Sequence, residues 1–271
     1  MAELADARDS KSRPGNRVRV QLPPSAIIQD ARRRIQDSRV MVKHIGIAAC
    51  SAEGAALCYR TICAEAGTKM GEHCHPEITM HTYPLSEYMV HIRAGDWDAV
   101  SELMIRSAKI AAKAGADFVI CPDNTIHQAF ETAVMQSPIP WLNIAEVVAK
   151  EAKQKGFSHL GILGTKYLMA GPVYPNVLKK FDINCQIPRK KEREQIDNII
   201  FGELVNGVFS EKSRLYLNQV IKEFKQNGCD AAVLGCTEIP LLVEPKDCPL
   251  PTLDSTRLLA RAALQKALAK D

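Results

Sequence analysis

The chain has 271 residues, 46% hydrophobic and 24% charged, with nine cysteines and a net charge of +4. That length holds one large domain or two of medium size with a buried core, and no run of ~18 apolar residues exists, which excludes a membrane-spanning helix. The charge sits in residues 1–42, nine basic against five acidic, leaving 26 of each sign in 43–271; a neutral body excludes a nucleic-acid platform, which needs a basic face.

The first residues lack the apolar centre of a secretory signal, and cysteines spread from Cys50 to Cys248 in odd number fit a reducing cytoplasm better than a disulfide framework. Residues 1–42 show no periodicity before Ile27 and carry Pro14, Pro23 and Pro24, which predicts disorder with a short basic helix near Asp30–Arg39. Met41 stands directly before the first strand-like run, and the opening Met1–Ser10 resembles peptides made when a transfer-RNA gene is translated by mistake; translation is expected to start at Met41.

From residue 43, strands are predicted at His44–Ala49, Ile78–His81, Asp117–Cys121, His159–Leu163 and Ala231–Leu234. Between them, Trp97–Ala114 and Leu217–Gln226 place apolar residues at helical spacing, and Gly115 and Gly228 mark helix stops. Strands joined by helices of this length need crossovers, hence a mostly parallel α/β sheet. Glu72-His73-Cys74-His75 suggests a metal, but no partner set with metal-like spacing accompanies it, and a loop is expected there. There is no Gly-rich phosphate loop and no serine nucleophile elbow.

An internal repeat carries the most information. Gly115-Ala116-Asp117-Phe118-Val119-Ile120-Cys121-Pro122-Asp123-Asn124-Thr125 overlays Gly228-Cys229-Asp230-Ala231-Ala232-Val233-Leu234-Gly235-Cys236-Thr237-Glu238 without a gap. His44-Ile45-Gly46-Ile47 echoes His159-Leu160-Gly161-Ile162. Each copy runs from helix end through an apolar strand to a polar triplet at the strand's carboxyl end, where ligands bind in such sheets. If the halves face each other, Asp123 and Cys236 approach one bound carbon from opposite faces. One group removes a proton while the other supplies one, which is what stereoinversion needs. On the repeat alone, the two are equally readable as ordinary strand-end residues.

The body resembles the cofactor-independent aspartate/glutamate racemase superfamily, especially its aspartate and broad-specificity amino-acid racemases. The matching stretches are Leu234-Gly235-Cys236-Thr237-Glu238-Ile239, Asp123-Asn124-Thr125-Ile126-His127, Leu163-Gly164-Thr165-Lys166-Tyr167-Leu168-Met169 and Leu253-Asp254-Ser255-Thr256-Arg257, and the likeness covers residues 43–268. It implies two similar flavodoxin-like α/β domains, doubly wound parallel sheets in pseudo-two-fold symmetry, with the site between them. Their bounds would be 43–145 plus 254–271, and 146–253. It also implies a cytoplasmic homodimer, an amino-acid substrate and no pyridoxal phosphate or other cofactor. Cys236 matches the second catalytic cysteine, and Asp123 replaces the first. Cys121, two positions earlier, is an alternative thiol for that face. Asn124, Thr125, Thr237 and Glu238 match substrate-backbone or supporting positions, and Ser51 falls in the loop that contacts the substrate carboxylate. Lys166 is a candidate for an anionic side chain or a solvated surface lysine, and His127 for orienting the first triplet. Cys50, Cys58, Cys63, Cys185 and Cys229 are expected as small apolar filling.

An Asp/Cys pair differs from two thiols. A free thiol titrates near ~8.5 and a free carboxyl near ~3.9, so the resting state is carboxylate plus thiol. A distal substrate carboxylate ~4 Å from an ionised Asp123 would meet roughly 4 kcal/mol of repulsion. Either Asp123 is neutral, or that carboxylate sits near Lys166, or the substrate is not acidic. The alternatives are a one-cysteine decarboxylase or isomerase of the same superfamily, and a binding protein without catalysis.

Overall fold

The computed structural model describes residues 42–269. The expectations of a disordered or spurious extension and of a start at Met41 lie outside them. None of the described helices is long and apolar enough to cross a membrane.

Among the described residues, eight strands form two four-stranded sheets, each wholly parallel. The first is built from β1 (Ile45–Ala49), β2 (Ile78–Thr82), β3 (Phe118–Ile120) and β4 (Trp141–Leu142) in the order β2-β1-β3-β4. The second uses β5 (His159–Leu163), β6 (Asn184–Gln186), β7 (Ala231–Leu234) and β8 (Thr252–Asp254) in the order β6-β5-β7-β8. The two orders are the same when each strand is matched to its counterpart, so the sequence repeat is a repeat of topology. All five expected strands are present; β4, β6 and β8 are additions.

The Gly-x-Asp motif proves to be structural. Helices α3 (Trp97–Lys113) and α9 (Glu211–Gln226) are both ended by a glycine in the left-handed region, Gly115 at φ 96° and Gly228 at φ 85°. Each end closes with the same two bonds: Gly115 N–H to Ala112 (3.0 Å) and Ala116 N–H to Ala111 (3.0 Å), then Gly228 N–H to Lys225 (3.1 Å) and Cys229 N–H to Phe224 (2.9 Å). The aspartate that follows ties the new strand to the start of its neighbour. Asp117 Oδ2 accepts from His44 N–H at 2.6 Å, and Asp230 Oδ2 from Ser158 N–H at 2.7 Å and His159 N–H at 3.2 Å.

The core explains how the halves join. Helix α5 (Ile144–Gln154) follows β4 of the first sheet, yet its Ala145, Val148, Ala149 and Ala152 pack with Leu160, Ile162, Ala231 and Val233 of the second. Helix α11 (Ser255–Leu268) follows β8 of the second sheet and packs Leu259, Ala260, Ala263 and Ala267 against Ile45, Ile47, Phe118 and Ile120 of the first. Each half therefore completes the other's core, and α5 and α11 also touch each other. Glu72, His73, Cys74 and His75 lie in an exposed loop between α1 (Ala52–Met70) and β2. Among the described residues no three His, Cys, Asp or Glu side chains converge as a metal site would require.

Gly228 has open space where a Cβ would stand, so only its positive φ resists substitution. Gly228→Ala is expected to lower unfolding free energy by about 1 kcal/mol. Gly202→Ala, at a helical position with equally open space, should be neutral or slightly stabilising. Chemical denaturation of the two variants measures both.

Candidate active site

The carboxyl ends of β1, β3, β5 and β7 meet at one small cavity, the place where ligands bind in open α/β sheets. The loop after β1 supplies Cys50 and Ser51, the loop after β3 supplies Asp123, Asn124 and Thr125, and the loop after β7 supplies Cys236, Thr237 and Glu238. Both members of the repeat, Asp123 and Cys236, thus face a shared space. The rim is apolar: Leu85, Met89 and Ile92 of α2 (Leu85–Ala94) on one side, Ile200, Phe201 and Val205 on the other.

Burial sets the electrostatics. It pushes the Asp123 carboxyl up to about 6, the charge of Glu238 adds to this, and hydrogen bonds from the Ile126 and Thr125 N–H groups and the Cys50 thiol oppose it. The Ile126 N–H bond to Oδ1 is 3.3 Å long. Burial also pushes the Cys236 thiol well up, with the Glu238 carboxylate next in weight. Cys236 Sγ donates to Glu238 Oε2 at 2.9 Å. The Cys50 thiol is raised by burial and then by the neighbouring Asp123 carboxylate. At neutral pH the cavity therefore holds an Asp123 carboxylate between protonated thiols.

His127 fixes the Asp123 loop as a neutral imidazole. Burial lowers it to about 4. Its Nε2 accepts from Ile144 N–H at 3.3 Å, so the proton is on Nδ1, which donates to the Asp123 carbonyl at 2.7 Å. The ring stacks on Phe130 at 5.0 Å.

Polar bridges join the strand-end loops of the two halves. Asn124 Nδ2 donates to Ser255 Oγ at 2.9 Å, and its Oδ1 accepts from Tyr174 Oη at 2.7 Å. Ser255 Oγ in turn donates to the Leu234 carbonyl at 2.9 Å. The Thr125 and Thr165 hydroxyls lie 2.9 Å apart, and those of Ser51 and Thr237 3.5 Å apart. Ser51 also caps α1, accepting from Gly54 N–H at 3.3 Å. A Cβ on Gly54 would stand 2.6 Å from Thr237 Cγ2, so glycine there lets the helix start approach the opposite loop.

The structure brings together Ser51, Asp123, Asn124, Thr125, Cys236, Thr237 and Glu238 and leaves Lys166 aside. Lys166 opens the short helix α6 (Lys166–Met169) and borders a separate surface cleft. Its Nζ is ion-paired with buried Asp197 at 3.2 Å. Cys121 packs in the core beside Tyr88, Met104 and Ile126, and its sulfur donates to the Asp123 main-chain carbonyl at 3.9 Å. Cys50 extends the sequence reading: it packs in the core with Tyr88 and Met104, as expected of apolar filling, and it also lines the cavity beside Asp123. Its one sequence signal is its place immediately after β1, at a strand's carboxyl end.

The chain is similar to known proteins over most of its length. Residues 47–263 match the Asp/Glu/Hydantoin racemase family. The broad specificity amino-acid racemase RacX of Bacillus subtilis is 23% identical over 195 residues, covering 72% of this chain and 83% of that protein. A Yersinia pestis protein of known structure is 31% identical with a TM-score of 0.78, over 84% of this chain and 100% of its own. An aspartate racemase homologue from Pyrococcus horikoshii OT3 is 26% identical with a TM-score of 0.72, over 84% and 100%. With 217 of its 271 residues inside the match, the chain belongs to the Asp/Glu/Hydantoin racemase family.

Proposed function

We propose that this protein interconverts the L and D forms of an amino acid without a cofactor, by proton transfer at the α carbon from two faces. The observation that supports this most is the meeting of Asp123 and Cys236, equivalent residues of the two repeats, in one cavity. The Asp123 wall takes the α proton while the Cys236 wall gives one to the opposite face, and the roles exchange for the reverse reaction. A carboxyl near 6 serves both directions better than an ordinary one, since it is mostly a base at pH 7 yet protonates at modest cost. Thr125, Thr237, Glu238 and Ser51 offer polar contacts for the substrate backbone. Asn124, held at both ends by Ser255 and Tyr174, fixes the β3 loop. The start of the 19-residue helix α1 favours the substrate carboxylate there. The acidic groups suit the α-ammonium. Two carboxyls beside a leaving carboxylate disfavour a decarboxylase.

The division into 43–145 with 254–271, and 146–253, belongs to this reading; it rests on the matched sheet orders and on α11 completing the first core. So does a cytoplasmic homodimer, for which exposed Val208, Phe209 and Leu215 offer apolar surface. Sedimentation gives the mass.

The cavity also bears on the substrate. Among the described residues none of its lining side chains is basic, two are acidic, and the rim is apolar. With Lys166 engaged by Asp197 outside it, a distal carboxylate would find repulsion without a partner. The substrate we propose is an amino acid with an uncharged, largely apolar side chain. Polarimetry or chiral chromatography over a panel of amino acids should give a kcat/KM for the best neutral substrate at least about tenfold above aspartate and glutamate. Fastest turnover of an acidic amino acid would refute this.

Asp123 makes a paired prediction. Its folded carboxyl titrates at about 6 against ~3.9 for the unfolded chain, so ionisation at pH 7 costs the folded state stability. That cost fades as pH falls through 6 and is gone near 4, where both states are protonated. Asp123→Asn should therefore raise stability by about 2–3 kcal/mol at pH 7.5, with the gain vanishing by about pH 4. The same variant should lose racemisation by about 100-fold or more. Thermal melts across pH and steady-state rates check the two halves.

A further inference from the structure

The cavity holds two thiols, and the reading above uses only one. Cys50 follows β1 directly, and β1 pairs with β3 so that Ile47 stands opposite Ile120. The same register, carried three residues past the strand ends, sets Cys50 opposite Asp123. Both line the cavity, Cys50 is only 2% exposed, and the Asp123 carboxylate lies near enough to raise its thiol. Across the cavity, the Cys236 thiol donates to the Glu238 carboxylate at 2.9 Å. The site therefore contains a thiol and a carboxylate on each wall. On the first wall the thiol comes from the β1 loop and the carboxylate from the β3 loop; on the second, both come from the β7 loop.

We propose, resting on the racemase reading, that Cys50 is the catalytic thiol of the first face and that Asp123 is the base that withdraws its proton. The site is then two thiol–carboxylate pairs, Cys50–Asp123 and Cys236–Glu238, facing one α carbon. In one direction the Asp123 carboxylate takes the Cys50 S–H proton as the Cys50 sulfur takes the α proton. The electron pair of the broken Cα–H bond stays on carbon, and Cys236 S–H protonates the opposite face. Asp123 is left as a carboxylic acid, Cys50 as a thiol and Cys236 as a thiolate. Asp123 then loses its proton to solvent and Cys236 regains one, which restores the starting state. The reverse direction runs the same way, with Glu238 withdrawing the proton of Cys236 and Cys50 as donor.

Two arguments favour sulfur over Asp123 as the atom that meets the carbon. Buried thiols have strongly basic thiolates once formed, which suits a weakly acidic C–H better than a carboxylate does. Two chemically equal groups also make the two directions alike, whereas a carboxylate opposite a thiol favours one. Cys121 does not compete, because it lies in the core outside the cavity lining.

The test is enantiomer-selective exchange in deuterium oxide. The full chain and its Cys50→Ser and Cys236→Ser variants are incubated separately with the L and D forms of each amino acid, and α-deuterium and optical rotation are followed. Thermal melts establish that each variant is folded. The proposal predicts that Cys50→Ser loses racemisation by about two orders of magnitude or more. It should still exchange the α proton of one enantiomer, the one presented to Cys236, and Cys236→Ser should exchange only the other. Cys50→Ser racemising within about tenfold of the unaltered chain would overturn it and leave Asp123 as the direct base. A folded Cys50→Ser that exchanges neither enantiomer would also overturn it, since the sulfur would then matter only to the shape of the site. Failure of the racemase reading is distinct: the unaltered chain would then neither exchange nor invert any amino acid.

Discussion

Buried polar bridges between the two halves are the constraint on which the cavity depends. Asn124 is clamped between Tyr174 and Ser255, Ser255 reaches on to the Leu234 carbonyl, and Thr125 meets Thr165. All four side chains of the Asn124–Ser255 and Thr125–Thr165 bonds are buried, where leaving a polar group unpaired costs about 1–3 kcal/mol. The strand ends of one sheet are thereby held in register with those of the other. The exchanged helices α5 and α11 act at larger scale, since separating the halves would strip each sheet of a helix that fills its core.

Holding these ends together forces acidic groups into a small volume. Asp123 and Glu238 interact across it, and the thiols of Cys50 and Cys236 each lie against a carboxylate. A folded chain gains nothing in stability from such crowding. Neutral His127 contributes rigidity without adding charge, because its two ring nitrogens are spent on the Asp123 carbonyl and the Ile144 N–H. Destabilised titratable groups on a stiff frame are a frequent mark of functional sites.

Much of this was legible in the sequence, for identifiable reasons. The Gly-x-Asp repeats signalled two like halves because a left-handed helix end and a strand-tying carboxylate can be met by few residue types. β1, β3, β5 and β7 announced themselves as apolar runs because they are buried nearly throughout, three-residue β3 included. β4, β6 and β8 did not, being two or three residues long and only partly buried. Cys50 escaped notice because its partner is 73 residues away and only the register of β1 on β3 joins them. Lys166 was misleading for the same kind of reason: the group that claims it, Asp197, comes from helix α8 (Lys190–Gly202), 31 residues on.

The central claim is that the two halves address a single carbon from opposite sides. A crystal structure of the protein with its amino-acid substrate tests it most directly. The account predicts the α carbon lying between the Cys50–Asp123 wall and the Cys236 sulfur, with the substrate carboxylate toward the start of α1. An α carbon with both walls on the same face, or an amino acid bound outside this cavity, would contradict it.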